Sequence, residues 1–153
     1  KHGLNYFSVV SNQFSLARIL DAWWNKGGYY LHWETASDPD FRRWFEETQM
    51  VLMPWSSQAS GFFIETEAGQ PQERDLVRCY HSKENLQRRG RAFELAHRYG
   101  VEPIHIALAW VLCQKFPVFP IIGPRLPGET RSSMRALDIE LTDEEIRWLD
   151  LDA

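Results

Sequence analysis

Cysteine is scarce here. Cys79 and Cys113 are the only two, with no ligand-like spacing and no histidine motif beside them. That argues against a disulfide framework or a thiolate metal site, and both thiols are expected reduced, as packing residues of a cytoplasmic protein. Long apolar runs are missing too. The longest, around Ile104 to Cys113, is interrupted by His105 and falls far short of the roughly 20 residues of a membrane span. No signal-peptide pattern opens the sequence. Charge is not segregated either: the net charge of -4 comes from interspersed acidic and basic residues. The densest basic stretch, Arg88, Arg89 and Arg91, falls in an expected helix with Glu94 and reads as a solvated face, so no nucleic-acid or membrane partner is indicated. His2, His32, His81, His97 and His105 are scattered and do not form a metal-ligand set.

What is present suffices for a core. With 153 residues, 44% hydrophobic and 14% aromatic, the chain has the size and composition of one folded domain. Lys1-His2-Gly3-Leu4 reads as the tail of a helix stopped at Gly3, as though the sequence begins within a fold. Phe7 to Asn12 is a short β-branched run that suits a buried parallel strand. Leu16, Ile19, Leu20 and Trp23 stand at helical spacing, so a helix is expected from Phe14 to Trp24, broken by Asn25-Lys26-Gly27-Gly28. Tyr29 to Trp33 is aromatic and reads as an extended loop or lid.

Asp38 and Pro39 open an expected helix to about Thr48. Met50 to Trp55 is a second strand, ending in Ser56, Ser57 and Gln58. Glu65 to Asp75, rich in Gly, Pro and Glu, is expected to be a mobile loop. Ser82 and Gly100 bracket a long helix, and Pro103 opens the next. A third strand is expected at 118–122, then a helix from Pro127 to Leu137. The last helix opens with the capping box Thr142 and Glu145.

Short apolar strands alternating with helices predict a parallel α/β architecture. Each strand ends in small polar residues, where ligand sites of such sheets form. Three strands do not close a barrel, which needs eight strands and about 250 residues.

Three segments together resemble the aldo-keto reductases: VVSNQFSLA at 9–17, VLMPWSSQASGFF at 51–63, and the stretch from ALAWVLCQKFPVFPIIGPR to the terminal helix at 107–150. The second is similar to the family's seventh barrel strand and its exit loop, the third to its eighth strand, cofactor loop and closing helices. The resemblance implies the C-terminal portion of a (β/α)8 TIM barrel over residues 1–153, with strands near 7–12, 50–55 and 118–122. It also implies an NAD(P)H-dependent oxidoreductase that reduces a carbonyl to an alcohol.

On this resemblance, Gln13 is expected to bond the nicotinamide amide; by itself it reads as a loop glutamine holding backbone. Trp55 is expected to stack on the nicotinamide ring, or else to be a core tryptophan. Ser56, Gln58 and Ser60 are expected along the pyrophosphate path. Gly123, Pro124 and Arg125 feed a helix N-terminus suited to an anion, and Arg125 suits the 2′-phosphate of NADP. Glycine and Glu129 here replace the lysine and the arginine or glutamine found in many members. A glutamate suits a free ribose hydroxyl, which favours NAD, so both cofactors stay open. Ser133 matches a position that contacts adenine.

The family's catalytic tyrosine, lysine, aspartate and histidine come from earlier strands, and no residue here matches them. Tyr6, Tyr29, Tyr30 and His32 lie in no matching motif; Trp23, Trp24, Tyr29, Tyr30 and Trp33 are expected to wall a substrate site for a small carbonyl compound. The acid is expected in a missing N-terminal segment. The alternative is a catalytically inactive half-barrel, serving as a binding or assembly module through self-association or a partner chain. A barrel of another class, such as a sugar isomerase or lyase, finds no metal or lysine motif.

Overall fold

The structure is a computed structural model describing residues 6–21, 37–65 and 74–152. Three extended segments run parallel at its centre. β1 (Val9–Val10) pairs with β2 (Val51–Leu52), Val9 beside Val51 and Val10 beside Leu52. Single parallel bridges continue the pairing, Gln13 with Trp55 and Leu52 with Val118. Backbone bonds from Phe119 N to Leu52 O (2.8 Å) and Ile121 N to Pro54 O (2.9 Å) carry the third segment along β2. The regular strands are therefore shorter than the 7–12 and 50–55 expected, and 118–122 holds one bridge instead of a strand. Pro54, Pro117 and Pro120 account for much of this, since proline has no N–H to give to a ladder.

The helices are α1 (Pro39–Thr48), α2 (Arg74–Tyr80), α3 (Lys83–Tyr99), α4 (Pro103–Leu112), α5 (Pro127–Met134) and α6 (Asp143–Asp150). Asp38 caps α1 by accepting from Asp40 N at 2.9 Å, and Gln49 ends it in the left-handed region. Ser82 caps α3, and Gly100 stops it at φ 65, a conformation cheap only for glycine. Thr142 and Glu145 form the expected capping box of α6. The helix expected to Leu137 stays α-helical only to Met134 and tightens into a 3-10 turn, Arg135–Asp138. α2 begins at Arg74, inside the expected 65–75 loop, whose residues 66–73 lie outside the described residues. The readings of Lys1 to Leu4, Trp23 to Trp33 and the 25–28 break also lie outside them.

Helix α4 is buried almost all round, from Ile106 through Val111, as its nearly continuous apolar sequence requires. Phe14 packs on Trp110 with ring centres 5.0 Å apart, and Phe116 stacks on Phe45 at 5.1 Å, closing one core between the sheet and the helices.

The helix expected from Phe14 is not formed across Phe14–Asp21. Leu16 and Ile19 are buried as the spacing suggested, but Leu20 is exposed, and the backbone bonds run to distant partners. Asn85, fully buried on α3, accepts from Arg18 N (2.9 Å) and donates to Arg18 O (2.7 Å) and Tyr80 O (2.8 Å). Leu20 N donates to Cys79 O at 2.7 Å. Ser15 adds a local competitor, accepting from Gln13 Nε2 and donating to Ala17 O. One side-chain amide thus does for this segment what a neighbouring strand would do.

His105 closes the N-terminus of α4. Its Nδ1 accepts the Glu102 N–H at 3.2 Å, and its Nε2 lies 2.7 Å from Ser132 Oγ on α5. Burial depresses the imidazole below its ordinary range, Glu102 opposes this, and Arg135 adds to it. The fold therefore holds the neutral ring. Its contribution is complete above the unfolded imidazole value of about 6.5 and is lost as pH falls through the depressed value. Thermal unfolding followed from about pH 7.5 to about pH 5 should show Tm falling across this window. His105→Gln keeps an acceptor and a donor without titrating and should flatten that slope; an unchanged slope in the variant would contradict the assignment. Carboxylates held low, such as Glu129 and Glu145, come into play only below about pH 4.5.

Candidate functional site

The parallel register sorts the three segments into two faces. Val10, Leu52 and Val118 form one row and turn toward the helices. The alternate positions make the other face, with Met53 level with Phe119 and the Gln13–Trp55 pair level with Ile121. Much of that face is open: Val9 is 43% exposed, Met53 39%, Phe119 61% and Ile121 46%. Trp55 is half-buried at its C-terminal row. Gln13 stands beside it but is fully buried, with its amide given to Ser15 Oγ at 2.8 Å.

Past Trp55 the chain turns sharply. Ser56, Ala59 and Ser60 all take left-handed backbone angles (φ 50, 49 and 52) before Gly61 at φ 87. Each costs free energy for a residue with a Cβ, and such strain gathers at functional loops. The loop is closed by one internal bond and pinned from two sides. Ala59 N donates to Ser56 O (2.8 Å), Ser57 Oγ to Ile121 O (2.9 Å), and Gln58 Nε2 to Ser133 Oγ (3.2 Å). Below it lies Tyr80, fully buried, its ring 5.9 Å from that of Phe62. Burial pushes the Tyr80 phenol up to about 12, opposed by the Ser60 and Ser56 hydroxyls.

Between this loop, the third segment and α5 lies an open cavity of about 650 Å³. Ser56, Gln58, Ser60, Gly123, Pro124, Arg125, Glu129 and Ser133 all line it, so the structure brings these eight expected residues together. Gln13 and Trp55 are apart from it, on the sheet face from which the loop leaves. Ser57, Glu102 and Ser132 also line it and were not singled out from the sequence. Helical spacing gave a signal for Ser132, which follows Glu129 at i+3.

The helix N-terminus at this cavity already has its anion. Glu129 accepts from Arg125 N (2.5 Å) and Leu126 N (3.4 Å), and the Arg125 guanidinium lies 3.3 Å from its other oxygen. The Arg125 N–H bond leads in holding the Glu129 carboxyl below its ordinary range, so the group is ionised at neutral pH. Capping and pairing together neutralise both features expected to attract a phosphate.

A groove of similar size, about 700 Å³, separates α3 from α6. There Glu145 is engaged by Arg98 (2.8 Å) and by the Tyr99 hydroxyl (2.9 Å), and no strand end reaches it. Among the described residues, no group of three or more His, Cys, Asp or Glu is placed to hold a metal ion, and no helix is long and apolar enough to cross a membrane. The aromatic residues expected to wall a substrate site, Trp23, Trp24, Tyr29, Tyr30 and Trp33, lie outside the described residues.

Comparison with known proteins agrees with this layout. The profile of the Aldo/keto reductase family matches residues 7–151. Norsolorinic acid reductase stcV of Emericella nidulans is 31% identical over 97 residues, which is 63% of this chain and 25% of that protein. Norsolorinic acid reductase A of Aspergillus parasiticus is 30% identical over 127 residues, 80% of this chain and 32% of that protein. The crystal structure of a thermostable aldo-keto reductase in complex with the inhibitor epalrestat aligns with a TM-score of 0.59. That alignment takes in 95% of this chain and 39% of the other at 16% identity, a likeness of fold alone. The chain thus spans about a quarter to a third of the length of these curated relatives. With parallel strand ends in register and a family match from residue 7 to residue 151, this chain belongs to the aldo/keto reductase family.

Proposed function

We propose that this chain supplies the cofactor-holding part of a nicotinamide-dependent oxidoreductase that reduces a small carbonyl compound to an alcohol, as the C-terminal portion of a (β/α)8 barrel. The observation that carries the reading is the gathering of a strained serine-rich loop, the 123–125 turn and α5 around one cavity past the C-terminal ends of the parallel segments. The donor set suits a dinucleotide: hydroxyls of Ser56 and Ser60, the second N–H of the Gln58 amide and the Gly123 N–H, with Ser133 held in place by its own bond to Glu129 O (3.0 Å). When bound, a reduced nicotinamide supplies hydride to a carbonyl carbon. Trp55 offers a flat indole to fix which ring face is presented. Gln13 can meet a nicotinamide amide once its bond to Ser15 opens. None of the described tyrosine, histidine or lysine side chains lines the cavity, so the proton for the carbonyl oxygen is assigned to an acid outside these residues.

Cofactor choice follows from Glu129. A 2′-phosphate would bring about two negative charges to a carboxylate that already satisfies the helix N-terminus and Arg125, whereas a free ribose hydroxyl can donate to it. The reading is therefore NADH over NADPH.

A second reading is favoured by one observation, the open sheet face with Val9, Met53, Phe119 and Ile121 exposed. It is a catalytically inactive half-barrel that assembles through this face. Light scattering over a range of concentrations decides for the chain as it stands. Self-association weakened by Phe119→Asp supports assembly, and a monomer at all concentrations contradicts it.

Titration with NADH is expected to quench tryptophan fluorescence, and Trp55→Ala to remove most of the quench. NADPH should bind more weakly, and Glu129→Gln should narrow the gap by about tenfold, the size of one charge–charge repulsion near the surface. Equal affinities in the wild-type chain would refute the selection by Glu129, and no quench by either would refute the cofactor reading.

A further inference from the structure

Two buried side-chain polar atoms meet no hydrogen-bond partner among the described residues, the Trp110 indole N–H and the Tyr80 hydroxyl. The indole packs on Phe14 within the core. The hydroxyl is differently placed. Tyr80 ends α2, is fully buried, and has its ring 5.9 Å from that of Phe62. Phe62 in turn closes the strained exit loop by donating its N–H to Ala59 O at 2.9 Å. The Tyr80 backbone is tied down as well, its carbonyl accepting from Asn85 Nδ2 (2.8 Å) and Ser82 N (3.0 Å). The ring is therefore fixed while its O–H stands idle.

Leaving a buried hydroxyl unpaired costs free energy, and phenylalanine would fill the same place without that cost. Burial pushes the phenol up to about 12, so it keeps its proton and is a donor throughout the neutral range. The Ser60 and Ser56 hydroxyls oppose that rise; they lie near enough to be felt, yet neither completes a hydrogen bond to it. Both serines line the cavity, and Tyr80 does not. The two serines are thus shared between the phenol and the cavity. A serine whose proton is taken by an acceptor becomes a stronger acceptor itself, because successive hydrogen bonds polarise one another. A ligand in the cavity is what turns a serine oxygen into a partner for the idle O–H.

We propose that Tyr80 is a positioning residue for the exit loop: its hydroxyl, unpaired in the free chain, donates to the Ser60 or Ser56 oxygen when that serine donates to a ligand in the cavity. The inference rests on the cofactor reading above. Its test is calorimetric titration with NADH of the full chain, of Tyr80→Phe, Ser60→Ala and Ser56→Ala, and of each serine change combined with Tyr80→Phe. Thermal unfolding of each without ligand accompanies it. Tyr80→Phe should weaken NADH by about fivefold, the worth of one hydrogen bond. Its Tm should stay at or above the wild-type value, since the bond it lacks is absent from the free chain. Combined with the serine that accepts, Tyr80→Phe should add no further loss; combined with the other, the losses should add. A lowered Tm in Tyr80→Phe, unchanged NADH affinity, or additive losses with both serines would each overturn the proposal and leave the cofactor reading intact. If the wild-type chain binds no NADH, the cofactor reading falls and this inference with it.

Discussion

Everything at the candidate site depends on the parallel register of β2. Leu52 gives both backbone groups to the 117–119 segment while Met53 N bonds Val10 O of β1, so this strand sets the level of both neighbours. Side chains alternate between faces, and a slip of one residue would exchange them all. Trp55 would then turn toward the helices and Leu52 toward the open face. The exit loop, with its run of left-handed residues, would start from the wrong height. The buried Leu52 and the Phe14, Phe45, Phe116 and Trp110 cluster hold the register, because any slip would take large apolar groups out of the core.

A second constraint is that polar groups around the cavity satisfy one another. Ser57 holds the third segment, Gln58 holds Ser133, His105 holds Ser132, and Glu129 holds the turn before α5. These bonds link the strand-end loop to two helices, so the cavity has fixed walls before any ligand arrives. They also limit what it can take. Arg125 and the start of α5 read as an anion site only while Glu129 is ignored; with it in place, the local charge is balanced.

Much of this was legible in the sequence, for local reasons. Asp38-Pro39, Ser82 with Gly100, and Thr142 with Glu145 are signals carried within a few residues of the helix ends they mark. The serine-rich exit loop and Gly123-Pro124-Arg125 stood out through family resemblance, and eight of the ten expected site residues meet at one cavity. The failures share a cause. The 14–21 segment has helical spacing, but its backbone is claimed by Asn85, 67 residues away from Arg18. The 118–122 strand shrank because prolines interrupt its ladder. Helical spacing from Glu129 hinted at Ser132, but its bond to His105 on another helix, 27 residues away, has no sequence signal. Local pattern carries none of that.

The central claim is that one cavity, walled by the exit loop, the 121–125 turn and α5, holds a nicotinamide dinucleotide. Hydrogen exchange of the backbone amides, measured with and without NADH, tests it most directly. The account predicts slowed exchange at residues 56–61 and 121–133, with the groove between α3 and α6 unaffected. Protection confined to that groove, or none anywhere at saturating NADH, would contradict it.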